Sequence, residues 1–141
     1  MVEILDFDLD EEVTDNYYGI KNKAIMTEME IKWFKLFEKL ISDDFFIWPQ
    51  INLASIMDIE AKYQQKLFHN IDFGIFRKTD FKLMLLIETN DFRHKKEKGF
   101  LRDKKVSDCC KMAGYPFIKL SYSQIKKETH IKKILNARGL V

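Results

Sequence analysis

The sequence predicts an α/β (α+β) fold whose elements follow in the order helix, three strands, helix, strand and helix. Three observations support this prediction. A capping-box motif opens an amphipathic run at residues 27–41, two strand-like runs flank a turn within residues 71–88, and a Gly-x-Pro helix stop at residues 114–116 precedes a further strand. The chain has 141 residues, of which 46% are hydrophobic and 13% aromatic, so we expect one folded domain with its own core.

The first helix is predicted to run from residue 28 to about residue 41. Thr27 is its N-cap, and Glu30 is the N3 residue of the capping box. Because Glu30 lies one turn before Phe34, its carboxylate sits at the end of the apolar stripe of the helix. Two roles remain open for Glu30: it caps the helix, or it points toward a functional site. The stripe consists of Trp33, Phe34, Phe37, Leu40 and Ile41.

The next residues predict an edge strand and a connector. Residues 45–53 are rich in aromatic and aliphatic side chains. Pro49 cannot donate a ladder hydrogen bond, so this strand is expected at an edge of the sheet or is interrupted by a bulge. Residues 54–70 form a connector with some helical character. For its one histidine, His69, a structural role is favoured over metal binding.

The central feature is a predicted β-hairpin formed by residues 71–76 and 82–88. A turn centred on Asp80 fixes its antiparallel register. That register pairs Phe76 with Met84, Gly74 with Leu86, and Asp72 with Glu88. The two acids then share one face, with Cβ atoms about 5 Å apart. A slip of one residue would move Glu88 to the other face.

The predicted proximity of Asp72 and Glu88 suggests a metal site. Two carboxylates this close repel each other and lose hydration, and the apolar strands around them offer no packing reason for the pair. A divalent cation such as Mg²⁺ relieves both costs, because it takes oxygen ligands and uses one or two carboxylates together with waters and phosphate oxygens. In the alternative interpretation both acids mark strand ends, where the chain returns to solvent.

The C-terminal third predicts helix, strand and helix. A helix is expected at residues 101–113, a strand at 115–120, and a last helix capped by Ser123. Gly114 and Pro116 end the first of these helices. The adjacent Cys109 and Cys110 have neither disulfide geometry nor metal-ligand spacing, so we expect small core residues.

Charge divides the chain into an acidic N-terminal arm, residues 1–22, and a basic domain, residues 23–141. Seven acids precede the first basic residue, Lys21. From Lys21 onward, all 24 basic residues stand against the other 15 of the 22 acids, so residues 21–141 have a formal charge of +9. Four interpretations of the arm remain open: a solvated tail, an added edge strand, a dock for a protein partner or second protomer, or a cover over a basic nucleic-acid-binding face.

The sequence also bears on the cellular compartment. No apolar run is long enough to span a bilayer, and the first residues lack the basic-then-apolar order of a signal peptide. The two cysteines do not require an oxidising environment. We therefore expect a cytoplasmic protein without a membrane partner.

Four motifs point to a known family. They are Ile71-Asp72-Phe73, the acid-rich run 86–94 that ends in histidine, the pair Arg102-Asp103, and the helix exit Ala113-Gly114-Tyr115-Pro116. Together with the element order they resemble the PD-(D/E)XK nuclease superfamily, and most closely its bacterial domain of unknown function 2726. The similarity covers about residues 26–120 or beyond. It implies a restriction-endonuclease-like αβββαβ core with a central mixed sheet flanked by helices.

The resemblance also implies an activity, metal-dependent hydrolysis of phosphodiester bonds in DNA or another nucleic acid. Its metal ligands would be Glu30, Asp72 and Glu88, binding Mg²⁺ or Mn²⁺ with the carbonyl of Thr89. The catalytic set it implies is Asp72, Glu88, Asn90 and His94. His94 would orient the water or protonate the leaving oxygen, unless it is only a surface residue of a basic loop.

Asn90 departs from the superfamily pattern, because the motif has a lysine there. That lysine positions the attacking water and offsets negative charge. Lys104 or Lys105, one turn into the next helix, would be a substitute. Two other function classes follow if catalysis is lost: a nuclease-fold module that binds nucleic acid or a protein partner, and an interaction or immunity factor that works through the acidic arm.

A basic cluster next to Glu88 is the predicted nucleic-acid-binding surface. The cluster is interleaved with Phe92 and Phe100, a combination that suits phosphates and bases. A solvated basic loop is the alternative. Its members are Arg93, Lys95, Lys96, Lys98, Arg102, Lys104 and Lys105.

Overall fold

The computed structural model describes residues 17–58, 60, 69–90 and 97–141, with residues 17 and 97–102 described in their backbone only. Four strands form one mixed sheet in the order β1-β2-β3-β4. β1 and β3 both pair with β2 antiparallel, and β4 pairs with β3 parallel. The predicted α+β class with a central mixed sheet is confirmed. The elements are α1 (Glu28–Leu40), β1 (Phe45–Asn52), α2 (Leu53–Ile56), β2 (Asn70–Arg77), β3 (Leu83–Asn90), α3 (Glu97–Ala113), β4 (Phe117–Ser121) and α4 (Glu128–Asn136).

The capping box at the start of α1 is present as predicted. The Glu30 N–H donates to Thr27 Oγ1 at 3.2 Å, and the Thr27 N–H donates to Glu30 Oε1 at 3.1 Å. These bonds satisfy two N–H groups that the first turn of a helix otherwise leaves without partners. The helix then buries Trp33 and Phe37 completely against the sheet.

Helices cover both faces of the sheet and create two core clusters. The first cluster joins α1 and α4 to odd-numbered residues of the two central strands, among them Phe73 and Ile87. The second cluster includes Leu86 of β3 and the buried Cys110 of α3. Since side chains alternate along a strand, Glu88 shares the α3 face with Leu86. Cys110 is therefore a small core residue as expected, and Cys109 packs at the margin of the same cluster.

The hairpin register is correct near the acids and wrong near the turn. Gly74 pairs with Leu86 as predicted, whereas Phe76 pairs with Leu83 and not with Met84. The register shifts between Ile75 and Phe76, so Met84 is an extra residue on β3, a β-bulge. The bulge lies on the turn side of the hairpin and leaves the register toward the acids unchanged.

The predicted starts of two helices needed correction. The helix expected from residue 101 already begins at Glu97. Ser123 does not cap the last helix: Tyr122–Lys126 form a 3₁₀ turn, and α4 follows Lys127. The cause is local, because the Ser121 N–H donates to Gln124 Oε1 at 2.6 Å and closes the tighter turn first. The predicted connector at residues 54–70 has helical character at its start, where Leu53–Ile56 form the one-turn helix α2, and positions 59 and 61–68 lie outside the described residues.

Two further expectations concern the sheet edge and the membrane. Among the strands that the structure describes, the strand with Pro49 is an edge strand, since β1 is the first in the order of the sheet. None of the helices in the described ranges is long and apolar enough to cross a membrane. Residues 1–16, most of the acidic arm, lie outside the described residues.

Replacement of Gly74 by alanine is expected to destabilise the sheet. A Cβ at this position would lie 3.0 Å from Ile51 Cγ1, 3.0 Å from Phe76 Cε2 and 3.3 Å from Leu83 Cδ1. Overpacking of this kind costs about 1–3 kcal/mol. Urea denaturation followed by circular dichroism should show this loss in Gly74→Ala, while the exposed control Thr129→Ala stays near wild type. Equal stability of the two variants would contradict this packing.

Candidate active site at the ends of strands β2 and β3

A row of four polar residues crosses the sheet on neighbouring strands. Glu88 of β3 and Lys119 of β4 are partners in the parallel ladder. Asp72 of β2 follows the register one residue beyond the pair of Phe73 with Ile87, which places it beside Glu88. Gln50 of β1 lies beside Asp72, because its two neighbours pair with the two neighbours of Asp72. The row therefore runs Gln50, Asp72, Glu88, Lys119.

The Asp72 carboxylate links β2 to β3 by side-chain hydrogen bonds. Its Oδ2 accepts from the Thr89 N–H at 2.8 Å and from Thr89 Oγ1 at 3.1 Å. Thr89 is only 4% exposed, so its N–H and hydroxyl depend on these bonds. The regular β2–β3 pairing ends at Phe73 and Ile87. Asp72 thus replaces a strand partner at the point where the ladder stops.

Asp72 and Glu88 form a carboxyl–carboxylate pair. Burial of Asp72, followed by repulsion from Glu88, raises the pKa of Asp72 from 3.8 to about 7, although the hydrogen bonds from Thr89 oppose the rise. The Glu88 side chain is 12% exposed. These acids are therefore not solvated strand ends, and a proton or another cation between them relieves their repulsion.

His69 lies at the same site, which the sequence analysis did not predict. Its Nε2 is 3.5 Å from Glu88 Oε2, and its side chain is 19% exposed. The backbone carbonyl of His69 accepts from the Leu53 N–H at 3.0 Å, which fixes the chain at the entry to β2. The one available signal was position, since His69 precedes Asp72 by three residues at the start of a strand.

Glu30 is held apart from this pair. Its Oε1 accepts the capping bond from Thr27, and its Oε2 accepts from Gln50 Nε2 at 3.0 Å. Gln50 has a left-handed backbone with φ 57°, an uncommon conformation for a non-glycine residue. Glu30 and Gln50 line an open cleft of about 520 Å³ together with Asn70. Glu30 is therefore connected to the polar row through Gln50 and not by direct contact with the acids.

The other predicted site residues fall into three groups. Asn90 is half-buried at the end of β3, where its ladder partner is Ser121. Lys104 and Lys105 are exposed on α3. Residues 91–96, with Arg93, His94, Lys95 and Lys96, lie outside the described residues, and for Lys98 and Arg102 only the backbone in α3 is described. Their assigned roles stay predictions.

The donor set fits a magnesium-type cation only in part. Within the ranges that the structure describes, no group of three or more His, Cys, Asp or Glu side chains is arranged to hold a metal ion. Asp72 and Glu88 offer two carboxylates, which is the number that Mg²⁺ typically takes from a protein when phosphate oxygens and waters complete its shell. The pair therefore suits a cation that is shared with a bound phosphate.

The raised pKa of Asp72 predicts a pH-dependent stability. Between pH 3.8 and about 7 the folded protein keeps a proton on Asp72 that the unfolded chain has released, so the free energy of unfolding falls as pH rises through this window. In Asp72→Asn, the fall in the free energy of unfolding that the Asp72 proton causes should be absent. Urea titrations from pH 4 to 8 measure it, with the exposed Asp43→Asn as control. Identical slopes in wild type and Asp72→Asn would refute the assignment.

Comparison with known proteins identifies the family. The chain matches the family model described as "Protein of unknown function (DUF2726)" over residues 22–138. No curated protein and no solved structure matches the chain. The matched range includes all four residues of the polar row and the three helices that flank the sheet, α1, α3 and α4. The chain belongs to the DUF2726 family.

Proposed function

We propose that this protein is a metal-dependent nuclease of the PD-(D/E)XK type, with a restriction-endonuclease-like core, which hydrolyses phosphodiester bonds of nucleic acid, most directly DNA. The observation that supports the proposal is the Asp72–Glu88 pair at the end of the hairpin, where burial and mutual repulsion raise the pKa of Asp72 to about 7. Two acids kept side by side in spite of burial and mutual repulsion point to a cation that both of them bind.

Asp72 and Glu88 are the proposed ligands of Mg²⁺ or Mn²⁺, with the Thr89 carbonyl as a further oxygen. When bound, such a cation lowers the pKa of a bound water and stabilises the charge that develops on phosphorus. Thr89 fixes Asp72 for this role through its N–H and hydroxyl. Glu30 becomes a third ligand only if it gives up its hydrogen bond with Gln50, so its first role is to position Gln50.

Proton transfer is assigned to histidine. Hydrolysis forms a bond from the water oxygen to phosphorus and breaks the bond from phosphorus to a sugar oxygen, so one proton leaves the water and one reaches the leaving oxygen. His94 is the predicted residue for this role. His69 is a second candidate, because its Nε2 lies 3.5 Å from Glu88 Oε2 and an imidazole ring can both accept and donate a proton.

Substrate binding is assigned to the basic surface beside the pair. Lys104 and Lys105 are exposed on the helix that covers the same face as Glu88. The chain from Lys21 onward has a formal charge of +9, which attracts a polyanion and makes binding dependent on salt. The acidic arm remains a proposed contact for a second protomer or a protein partner.

A second function is favoured by one residue. Asn90 is a neutral amide at the position of the motif lysine, and an amide offsets negative charge less well than an ammonium group. This favours a nuclease-fold module that has lost catalysis and binds nucleic acid or a protein partner. The next two experiments separate the two functions.

The first experiment measures cleavage. We expect wild type to cleave labelled single-stranded, duplex or branched DNA in Mg²⁺ or Mn²⁺, and Asp72→Asn or Glu88→Gln to lower the rate by about 10²–10³-fold, as the loss of one preorganised charge-stabilising group does. The exposed Asp43→Asn serves as the matched control. Wild-type binding without cleavage, or cleavage that both site variants retain, would exclude the nuclease assignment.

The second experiment measures metal binding through stability. A ligand that binds only the folded state stabilises it by about 2.7 kcal/mol at 100 times its Kd. We expect Mn²⁺ to raise the melting temperature of wild type more at pH 8 than at pH 6, because the metal competes with the proton on Asp72. Asp72→Asn should lose this response. The absence of a shift at millimolar metal and pH 8 would favour the inactive module.

A further inference from the structure

We infer that Lys119 of β4 is the phosphate-binding cation of the Asp72–Glu88 site, in the role that Asn90 cannot fill. This inference rests on the proposed nuclease function and deepens it. A divalent cation only balances the charge of the two carboxylates. The negative charge that develops on phosphorus therefore calls for a further positive group aimed at a non-bridging phosphate oxygen. The polar row provides one through its fourth member.

The sheet register places Lys119 beside Glu88. Glu88 and Lys119 are ladder partners on the parallel strands β3 and β4. Neighbouring strands lie about 4.8 Å apart, and ladder partners project from the same face of the sheet. The ammonium group of Lys119 therefore extends from a backbone position directly adjacent to that of a carboxylate of the pair.

Packing confirms which face this is. Two rungs earlier, Leu86 pairs with Phe117, and both side chains pack in the second core cluster, on the α3 face. Glu88 and Lys119 are each two residues further along the same strands, so they continue on that face. Lys119 Nζ lies 5.9 Å from the centroid of the Phe117 ring, within the range of a cation–π contact. Leu120, by contrast, points into the first cluster.

The exposure of the Lys119 side chain suits a substrate-binding group. Its side chain is exposed, whereas Glu88 and Thr89 next to it are largely buried. A long, exposed ammonium side chain on a fixed strand reaches a phosphate by rotation of its own bonds, without movement of the sheet. Its position on the sheet edge also leaves the outer side of β4 open among the described strands.

Asn90 and the helix lysines fit this role less well. Asn90 shares its rung with Ser121, one step beyond the rung of Thr89, so it offers only neutral groups. Lys104 and Lys105 stand on α3 and have no strand register with either acid. Of the lysines whose side chains the structure describes, Lys119 is thus the one whose strand position is paired with an acid of the site.

The test compares Lys119→Met with Lys119→Arg, and uses Lys132→Met as a matched control on the exposed side of α4. Single-turnover cleavage of a DNA that wild type cleaves is measured at saturating protein, and Mn²⁺ binding is measured by calorimetry without nucleic acid. We expect Lys119→Met to lower the cleavage rate by about 10²–10³-fold and Lys119→Arg to restore most of it. The control should cleave like wild type.

Metal binding gives the readout that a structural role would not produce. Removal of a neighbouring positive charge should tighten Mn²⁺ binding by about threefold to tenfold. Weaker or unchanged Mn²⁺ affinity in Lys119→Met would overturn the inference, as would wild-type cleavage by this variant.

The failure of the inference is distinct from that of the proposed function. Cleavage that requires Asp72 and Glu88 but not Lys119 removes only the role of Lys119. Wild type that does not cleave any nucleic acid removes both.

Discussion

The hydrogen bonds between the Asp72 carboxylate and Thr89 are the interaction on which this site depends. They join β2 to β3 where the regular pairing of the two strands ends. In an uninterrupted ladder the Thr89 N–H would bond to a backbone carbonyl, and Asp72 would be free to turn toward solvent. Here the Asp72 carboxylate accepts the Thr89 N–H and lies beside Glu88. The same group therefore joins the two strands and forms part of the candidate site.

The two-sided packing of the sheet determines the electrostatics of that carboxylate. α1 and α4 cover one face and α3 covers the other, which keeps water away from both central strands. Burial is the largest cause of the raised pKa of Asp72, ahead of the charge on Glu88. The same burial raises the pKa of Cys110 to about 11, with Cys109 and Glu88 as smaller causes, so that thiol stays neutral. The raised pKa of Asp72 is therefore mainly a consequence of its burial between the two core clusters.

Sequence reasoning succeeded where a local pattern has one structural solution. Thr27 and Glu30 specify a cap at a fixed spacing, and Gly74 opposite Leu86 follows from the turn and from alternation. It failed where distant segments meet. The bulge at Met84 depends on how the strand leaves the turn, and the contact of His69 with Glu88 depends on the path between α2 and β2. The pairing of Lys119 with Glu88 joins strands 31 positions apart, and only the sheet order reveals it.

The order of charges along the polar row gives the site a direction. From β1 to β4 it runs from the neutral amide of Gln50 through two acids to the ammonium group of Lys119. The Gln50 side-chain amide donates a hydrogen bond to Glu30, and this bond helps to stabilise the strained backbone of Gln50. Among these four residues, the positive charge that would attract an anion stands at the β4 end of the row. If the protein has the proposed function, a phosphodiester should approach the acids from the side of Lys119 and reach Glu88 before Asp72.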